Sequence, residues 1–440
     1  MISKTETEYL NVVDPSRVVV VVLGGGRGSR LFPLTRDRAK PAVGFGGTYR
    51  LVDVVLTNCL RSGFGKIFLL TQFNSFSLNR HIWQTYSREL PRDSFIEVVA
   101  AEQTPEKRDW FQGTADAVRR SLRYILYHRP RYVLVLSADQ VYSMDYRSLL
   151  FAHQTRSSDI TVAARFTEPD AVHGLGIIKI DTKLHVVGFR EKPRDARAVD
   201  GFKLSRPPAG IQVPQARPFL GSMGIYLFNT RSLEEALDGK ETDFGHGIIP
   251  HAAKTHHMNC FPFDGYWEDV GTIEAFYRAN MDWRAGRGIS GMFNEGNAII
   301  THERHLPPSR VDGAEIRESI IADGCHIAAR SIRGSIIGLR SRLGLGCTIQ
   351  DAILMGNDAH YGPEPFEIGA NCFIRRAIID KNVVIGDNSI IDGTEDRIDS
   401  DGDGDDHVVR SGIVVVPRGT VLPPGTRIVA SPSKRDPAHL

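Results

Sequence analysis

The 440-residue chain has little of what marks secreted, membrane-spanning or polyanion-binding proteins. Its five cysteines are odd in number and widely spaced, with no C-x-x-C pair, which argues against a disulfide framework or a zinc ribbon and favours a reducing cytoplasm. The longest purely aliphatic run, Val18–Leu23, has six residues, far short of the ~20 needed to span a bilayer. Charge is balanced as well, because 54 lysines and arginines face 52 acidic residues. We therefore expect neither a membrane nor a nucleic acid among the partners.

The first 16 residues are polar and include Glu6, Glu8 and Asp14. They contain no apolar segment of the kind that forms the centre of a signal peptide, so we predict no such peptide. We interpret residues 1–16 as an N-terminal arm.

Short aliphatic runs alternate with stretches of helical character through residues 17–285. The run Val18–Leu23 is apolar at every position, which is typical of a strand buried on both faces of a parallel sheet. Similar runs lie at residues 66–70, 132–136 and 160–164. Between two of them, Val118 and Ile125 recur at helical spacing. The alternation predicts βαβ units and an open, mostly parallel α/β sheet.

The pattern changes after residue 285, where a glycine-rich stretch and Pro307-Pro308 indicate a linker over residues 286–310. Through residues 311–440, aliphatic residues recur every five or six positions, with Gly, Asn and Asp between them. This period is too long for a helix face and too regular for a β-sandwich, the alternative architecture. It predicts a parallel β-helix with its aliphatic residues stacked inward. These residues are Ile316, Ile321, Ile327, Ile332, Ile337, Leu343, Ile349, Leu354, Ile368, Ile374, Ile379, Ile385 and Ile391.

The run LGGGRGSRL at residues 23–31 follows the first predicted strand directly. Its glycines let the backbone approach a phosphate group, and Arg27 and Arg30 add donors that match phosphate oxygens. Neither G-x-x-x-x-G-K-[ST] nor a complete G-x-G-x-x-G is present. An ordinary tight turn, the alternative, explains the glycines but not two arginines among them. The run therefore predicts an anion-binding loop.

Further charged residues extend this candidate site. Pro41 restricts Lys40 to an extended conformation, which helps to aim its side chain. Asp139 leaves a predicted strand at the sheet edge where ligands bind, and a carboxylate that faces phosphates there commonly holds Mg²⁺. Asp269 offers a second acid, although a helix N-terminus fits it equally well. Glu191 and Lys192 are suited to a sugar hydroxyl and a sugar phosphate, with a solvated charge run as the alternative.

Together these motifs resemble the sugar-1-phosphate nucleotidylyltransferases, and their order is similar to the cyanobacterial and plant branch of the glucose-1-phosphate adenylyltransferase family. The motifs that carry the resemblance lie at residues 25–31, 38–41, 113–118, 191–193, 222–226 and 267–272. The resemblance implies a Rossmann-like nucleotidyltransferase domain followed by a left-handed parallel β-helix that serves assembly and regulation. It also implies synthesis of ADP-glucose and pyrophosphate from ATP and α-D-glucose 1-phosphate with Mg²⁺, in a homotetramer controlled by an anionic metabolite.

The resemblance also implies roles for individual residues. Arg30, Lys40 and Asp139 would be catalytic, and Asp139 and Asp269 would hold the metal. The nucleotide would contact Gly25, Gly26, Arg27, Gly28, Ser29, Gln103, Phe111, Gly113 and Thr114. Glucose 1-phosphate would contact Gly176, Glu191, Lys192 and Ser222. An activator would contact Lys381 and Arg418.

Two departures from the family pattern bear on these roles. Ala138 and Gln140 flank Asp139 where the family usually has Gly-Asp-His, and Arg418 stands where a second activator lysine is usual. Two alternative functions stay open at this point. One is a sister transferase that uses UTP, CTP or dTTP, and the other is a regulatory subunit with weak catalysis.

Overall fold

The computed structural model describes residues 14–87, 90–91, 93–102, 109–204, 208, 210–289, 298–358, 367–394, 399–401 and 406–429. The four strands predicted in the first half are all present. The strands up to residue 269 are β1 (Val18–Leu23), β2 (Gly44–Phe45), β3 (Tyr49–Arg50), β4 (Lys66–Thr71), β5 (Phe95–Ala100), β6 (Tyr132–Ser137), β7 (Gln140–Tyr142), β8 (Ile160–Thr167), β9 (Gly176–Ile180), β10 (Val186–Glu191), β11 (Phe219–Asn229), β12 (Met258–Phe263) and β13 (Trp267–Asp269).

Helices connect and cover these strands. They are α1 (Leu51–Arg61), α2 (Phe76–Tyr86), α3 (Thr114–Tyr127), α4 (Tyr146–Thr155), α5 (Thr230–Leu237), α6 (Ile249–Thr255) and α7 (Ile273–Arg284). Helix α3 has the predicted apolar face, since Val118 and Ile125 are fully buried whereas Tyr127 is 81% exposed. Among the described residues, none of the helices combines the length and the apolar surface that crossing a lipid bilayer requires.

Nine strands form one sheet with a parallel centre in the order β6-β1-β4-β5. Strand β11 pairs antiparallel with β6 and carries β8 and β9 on its far side, with β10 beyond β9 and β12 parallel to β8. The parallel centre agrees with the predicted Rossmann-like domain. The reversal at β11 is a feature that the sequence pattern did not indicate. Because β1, β4 and β6 are parallel, their carboxyl ends open on one edge, which is where such sheets bind ligands.

Strand β1 lies at the centre of this sheet and is buried on both faces, as its composition predicts. Its valines at 18, 20 and 22 pack into one apolar core and those at 19 and 21 into the other. Successive side chains of a strand point to opposite faces, so one continuous valine run supplies both layers. The rigid sheet beneath then fixes where the loop after Leu23 begins.

Three parallel β-sheets form the faces of a prism in the second domain. The first face contains β14 (Arg310–Val311), β17 (His326–Ile327), β20 (Arg342–Leu343), β25 (Val384–Ile385) and β30 (Val421–Leu422). The second contains β15 (Glu315–Arg317), β18 (Ser331–Arg333), β21 (Thr348–Gln350), β23 (Phe373–Arg375), β26 (Ile390–Asp392) and β31 (Arg427–Val429). The third contains β16 (Ile320–Ile321), β19 (Ile336–Ile337), β22 (Ile353–Leu354), β24 (Ala377–Ile379) and β29 (Ile413–Val416), extended by the antiparallel β28 (Val408–Arg410) and β27 (Ser400–Asp401).

The predicted inward stack is present. Ile332, Ile349, Ile374 and Ile391 pair in register from coil to coil, and eleven of the thirteen predicted positions are at most 4% exposed. The exceptions lie in the first coil, where Ile316 is 36% exposed because only one neighbouring coil covers it. Parallel pairing on every face excludes the β-sandwich, whose sheets are antiparallel.

The two domains share an apolar interface and a buried ion pair. On the third face of the prism, Ile337 points inward, whereas Ile336 packs outward into a core that contains Trp283 of helix α7. Arg38 of the first domain donates a hydrogen bond to Asp380 of the second, and both side chains are at most 4% exposed. Arg38 also lines a cavity between the domains.

Candidate active site

The glycine-rich loop follows β1 at the carboxyl edge of the sheet. Its start is anchored because the Gly24 amide donates to the Leu70 carbonyl of β4 over 2.8 Å. Gly28 adopts a left-handed conformation with φ 64°, and a Cβ there would lie 3.0 Å from Thr35 and 3.2 Å from Lys40. Glycine is therefore required at Gly28 both by its backbone angle and by the neighbouring side chains. Gly26 has open space around it, so the loop backbone there is accessible to a ligand.

The two arginines of the loop face different surroundings. The Arg27 guanidinium lies 5.0 Å from the centre of the Phe73 ring, which supports it outside the cleft. Arg30 lies beside the segment that carries Asp269, since a Cβ on Gly271 would meet Arg30 Nη2 at 3.4 Å and Asp269 Oδ2 at 3.5 Å. Arg30 is therefore the loop arginine that joins the acidic side of the cleft.

Lys40 lies between the two candidate metal ligands. It begins a 3₁₀ turn, Lys40–Ala42, and is only 8% exposed. Its Nζ is 2.6 Å from Asp139 Oδ2 and 3.9 Å from Asp269 Oδ1. One ammonium group thus holds both carboxylates at the mouth of the glycine-rich loop.

A short two-stranded sheet brings Asp139 and Asp269 together. Asp139 lies between β6 and β7, and Asp269 ends β13, whose residues pair antiparallel with β7 so that Asp269 stands opposite Gln140. The Ser137 hydroxyl donates to Asp139 Oδ1 over 2.5 Å, which leaves the other oxygen for Lys40. Residues 130 apart in sequence are therefore adjacent because β7 and β13 are paired.

The pKa values of the two carboxyl groups are shifted in opposite directions. Burial acts to raise the pKa of Asp139, but the charge and hydrogen bond of Lys40 outweigh it and lower that pKa. Burial and the negative charge of Asp139 raise the pKa of Asp269, against the opposing effect of Lys40 and Arg30. Two crowded carboxylates of this kind favour a cation between them.

The donor set fits Mg²⁺ bound together with substrate. Within the described part of the chain, no group of three or more His, Cys, Asp or Glu side chains is placed to hold a metal. Mg²⁺ commonly takes one or two protein carboxylates and completes its shell with substrate phosphates and water. Asp139 and Asp269 supply that number of ligands next to the loop.

Gln140, which replaces the usual family residue, connects the acidic side of the cleft to β11. Its Nε2 donates to the Met223 carbonyl over 2.8 Å, and its Oε1 accepts from Trp267 Nε1 at 3.2 Å. Gln140 thereby joins the start of β7 to both β13 and β11. Its neighbour Ala138 is fully buried and donates its amide to the Leu23 carbonyl. The departure thus serves to position Asp139.

The predicted sugar-phosphate residues form a second group. Gly176 of β9 pairs with Glu191 of β10, and a Cβ on Gly176 would lie 2.7 Å from Glu191 Oε2. Lys192 has φ 40°, and its Nζ lies 3.5 Å from Glu191 Oε1. Ser222 of β11 is buried, with its Oγ 3.4 Å from the Tyr226 hydroxyl.

Asp243 and Tyr226 belong to this group, although the sequence motifs gave neither a role. A Cβ on Gly245 would lie 2.7 Å from Glu191, and the Gly245 amide donates to Asp243 Oδ1 over 2.9 Å. The pKa of Tyr226 is raised by burial and by the charges of Glu191 and Asp243. The available sequence signal was the D-x-G-x-G run at residues 243–247, because closely spaced glycines after an acid mark a tight backbone approach.

The remaining predicted nucleotide residues lie apart from the loop glycines. A Cβ on Gly113 would lie 2.3 Å from the Thr242 carbonyl, so glycine permits close packing there. The Thr114 hydroxyl donates to Asp243 Oδ2 over 3.0 Å. Phe111 lines a separate groove with Arg120. Gln103 lies outside the described residues.

One open cleft of 590 Å³ unites the catalytic candidates. It is lined by Gly24, Gly26, Gly28, Ser29, Arg30, Lys40, Asp139 and Gly271, among others. Gly25 belongs to the same loop.

Lys381 and Arg418 lie in the cavity of 1220 Å³ between the domains. Lys381 Nζ donates to Asp358 Oδ1 over 2.8 Å, and Arg418 Nη2 donates to Asp358 Oδ2 over 2.5 Å. Burial lowers the pKa of Lys381 to about 8 although Asp358 opposes the shift. Further cations on the cavity wall are Arg38, Arg50, Arg80, Arg304 and Arg340.

Comparisons with known proteins agree with the fold. Residues 19–286 match the family model "Nucleotidyl transferase", and residues 304–427 match "GLGC left-handed parallel beta-helix domain". The chain is 40% identical over 444 residues to the glucose-1-phosphate adenylyltransferase small subunit, chloroplastic/amyloplastic, of Triticum aestivum, covering 94% of this chain and 92% of the relative. The resemblance and the left-handed β-helix predicted from sequence are confirmed. The chain belongs to the glucose-1-phosphate adenylyltransferase family.

Proposed function

We propose that this chain transfers the adenylyl group of ATP to α-D-glucose 1-phosphate, giving ADP-glucose for glycogen or a related α-glucan and releasing pyrophosphate. The observation that carries this proposal is the convergence of Lys40, Asp139 and Asp269 at the mouth of the glycine-rich loop. The activity in the name of the wheat relative supports it, because the similarity extends over most of both chains.

The main obstacle to this reaction is the approach of two polyanions. An oxygen of the sugar phosphate attacks the α-phosphorus of ATP in line, the new P–O bond forms, and pyrophosphate leaves with the electrons of the broken bond. The attacking oxygen is already anionic, so no general base is needed. Arg30 and Lys40 neutralise the triphosphate, while Gly25, Gly26, Gly28 and Ser29 offer it backbone donors. Catalysis is then positioning plus charge stabilisation.

Asp139 and Asp269 would hold Mg²⁺. When bound, the ion would neutralise charge on the reacting phosphates and on the pyrophosphate that leaves. The chain's own contribution is orientation: Ser137 and Lys40 fix the two oxygens of Asp139, and Gln140 fixes the strand that follows it.

The second group of residues would bind glucose 1-phosphate. Glu191 accepts hydrogen bonds from sugar hydroxyls, and Lys192 pairs with the phosphate. Gly176 leaves room for the sugar ring, and Ser222 contacts it. On the nucleotide side, Gly113, Thr114 and Phe111 would lie toward the base, together with Gln103. Arg27 would approach the phosphates from outside the cleft.

Pyrophosphate release tests both the activity and the base. With glucose 1-phosphate and Mg²⁺ present, we expect turnover with ATP and far less with UTP, CTP or dTTP. Asp139→Asn should lower turnover by about 10²–10³-fold, comparable to removing one preorganised charge-stabilising group. The matched control is Asp264→Asn, which changes an exposed acid outside the cleft. Near-native turnover of Asp139→Asn would contradict the assignment.

The cavity between the domains would bind an anionic metabolite that regulates the enzyme. Lys381 and Arg418 are held there by one carboxylate, Asp358, and an incoming phosphate or carboxylate group would compete for them. Screening of phosphoglycerate, orthophosphate and fructose bisphosphate identifies the effector. Because the pKa of Lys381 is about 8, effector affinity should fall as the pH rises through 8, and Lys381→Met should abolish that dependence. Unchanged activation of Lys381→Met would contradict this site.

The domains divide the work in this proposal. The catalytic domain comprises residues 17–285, and a linker follows at residues 286–310. The β-helix at residues 311–440 serves assembly and regulation, and residues 1–16 form an N-terminal arm. We propose that the chain forms a homotetramer, which native mass spectrometry tests by measuring the mass of the assembly.

The five cysteines are buried and form no disulfide, which supports a reducing cytoplasm as the location.

A further inference from the structure

Two histidine rings face each other at an edge of the nine-stranded sheet. His185 precedes β10 and His257 precedes β12, and their Nε2 atoms are 3.0 Å apart. An antiparallel bridge pairs His185 with Asn259, which places His257, two residues before Asn259, on the same face. Neither histidine belongs to the catalytic cleft or the cavity between the domains described above.

The other ring nitrogens fix where the protons are. His185 Nδ1 lies 3.2 Å from Asp181 Oδ2, and His257 Nδ1 lies 3.1 Å from the Ser157 carbonyl. A carboxylate and a carbonyl only accept hydrogen bonds, so each Nδ1 carries a proton. In the neutral rings both Nε2 atoms then present lone pairs to each other. Two lone pairs at this distance repel unless a cation lies between them.

We propose that His185 and His257 form a binding site for one divalent transition-metal ion, with Zn²⁺ as its representative. Neutral imidazole Nε2 is a preferred ligand for such ions, and Zn–N bonds are roughly 2.0–2.1 Å long. Two nitrogens 3.0 Å apart need only a small separation to accept the ion. Asp181 and the Ser157 carbonyl act as the outer acceptors that orient ligating histidines in metal sites.

Neighbouring groups leave room for the rest of the shell. His257 is exposed, so water reaches the ion. The Asn259 amide nitrogen is 3.5 Å from His257 Nε2, while its buried oxygen has no hydrogen-bond partner. Rotating this amide by a half-turn would present its oxygen to the ion. The Ser158 hydroxyl is 2.8 Å from the amide nitrogen, and it can either accept from that nitrogen or donate to the oxygen after the rotation.

The ion would connect two strands that lead to the active site. Strand β10 begins directly after His185 and ends at Glu191, and β12 begins directly after His257 and leads toward β13 and Asp269. Two acidic groups contact the histidines: Asp181 on the β9–β10 turn, and Asp159, whose Oδ2 accepts from the His257 amide over 2.9 Å. Both are acidic, so the surroundings favour a cation.

Zinc binding to the metal-stripped full chain tests the proposal. Equilibrium dialysis and calorimetry are run in excess Mg²⁺, so that Asp139 and Asp269 are occupied. We expect one Zn²⁺ per chain, an increase in Tm on binding, and loss of both in His185→Ala and His257→Ala. Asp181→Asn should weaken binding by about 10–100-fold, as expected when an outer acceptor is removed. The matched control is His251→Ala, an exposed histidine on α6, which should bind as the wild type does.

Circular dichroism and pyrophosphate release establish that each variant is folded. His185→Gln is the second variant if His185→Ala loses its fold. Equal Zn²⁺ stoichiometry and affinity in the wild type and in His185→Gln would overturn the site. Absence of Zn²⁺ binding to the wild type would also overturn it and would leave a shared proton as the cation between the rings.

Discussion

Lys40 holds two carboxylates that otherwise repel each other. Its Nζ is within 3.9 Å of both Asp139 and Asp269. Its positive charge lowers the pKa of Asp139 and opposes the burial and the negative charge of Asp139 that raise the pKa of Asp269. In the proposed reaction, Mg²⁺ and the substrate phosphates would take over part of the charge balance that Lys40 provides. In the proposed function, Lys40 would act on both carboxylates as well as on the triphosphate.

The pH dependence of catalysis follows from these shifts. As the pH falls, Asp269 protonates first because burial and Asp139 raise its pKa, and an uncharged carboxyl holds a metal poorly. In Lys40→Met the nearby positive charge is gone, so the pKa of both acids should rise. We expect the acid limb of the kcat/KM profile to move to higher pH in Lys40→Met.

The control for this profile is Lys254→Met, an exposed lysine on α6, whose acid limb should coincide with that of the wild type. Profiles measured by pyrophosphate release give the comparison directly. An acid limb in Lys40→Met at the wild-type position would show that Lys40 does not control these carboxyl groups.

Among the elements, the β-helix was predictable from sequence and the strand order of the catalytic sheet was only partly so. The inward isoleucines repeat at a period that only stacked coils satisfy, and each covers the next coil's equivalent residue. Strand direction has no such signature, because β11 is as apolar as β6 whether it runs parallel or antiparallel to it. The reversal at β11 therefore had to come from the structure.

The candidate site likewise combines residues that a local sequence pattern predicts with residues that only the fold brings together. Asp139 and the glycine-rich loop were recognisable because each directly follows an apolar strand. The pairing of β7 with β13, which brings Asp269 to Asp139, joins distant segments without a local pattern. Asp243 was missed for a related reason: its partners Thr114 and Gly245 belong to different elements, and only the fold brings them to Glu191.

The isoleucine stack makes a prediction about stability. Ile374 is fully buried between Ile349 and Ile391, so Ile374→Ala leaves a cavity at the centre of the prism. We expect a loss of about 2–5 kcal/mol in the free energy of unfolding. Ile316→Ala removes the same atoms from a side chain that is 36% exposed in the first coil and should cost clearly less. Urea denaturation followed by circular dichroism measures both, and equal losses would contradict the inward stack.

On the scale of the molecule, the domains are coupled at the cavity that carries Lys381. Asp380 accepts a hydrogen bond from Arg38, and the next residue, Lys381, lines the cavity. Arg38 belongs to the same short segment as Lys40 and stands two residues before it. A structural change at the cavity is therefore transmitted toward the cleft through the Arg38–Asp380 ion pair and the backbone that joins Arg38 to Lys40.

Removing one partner of this buried ion pair should lower the free energy of unfolding. Asp380→Ala leaves the Arg38 guanidinium buried without its partner, which we expect to lower the free energy of unfolding by about 3–5 kcal/mol. The double variant Arg38→Leu with Asp380→Leu should lose less than the sum of its single changes, because no charge is left unpaired. Asp200→Ala, in an exposed pair with Lys203, should change stability by about 1 kcal/mol or less. Additive losses in the double variant would contradict the coupling.

The most direct measurement is a crystal structure of the chain with Mg²⁺, a non-hydrolysable ATP analogue and glucose 1-phosphate. We expect the triphosphate over the glycine-rich loop, the ion between Asp139 and Asp269, and the sugar phosphate beside Glu191 and Lys192. A triphosphate bound away from Lys40, or an ion that neither aspartate ligates, would contradict it.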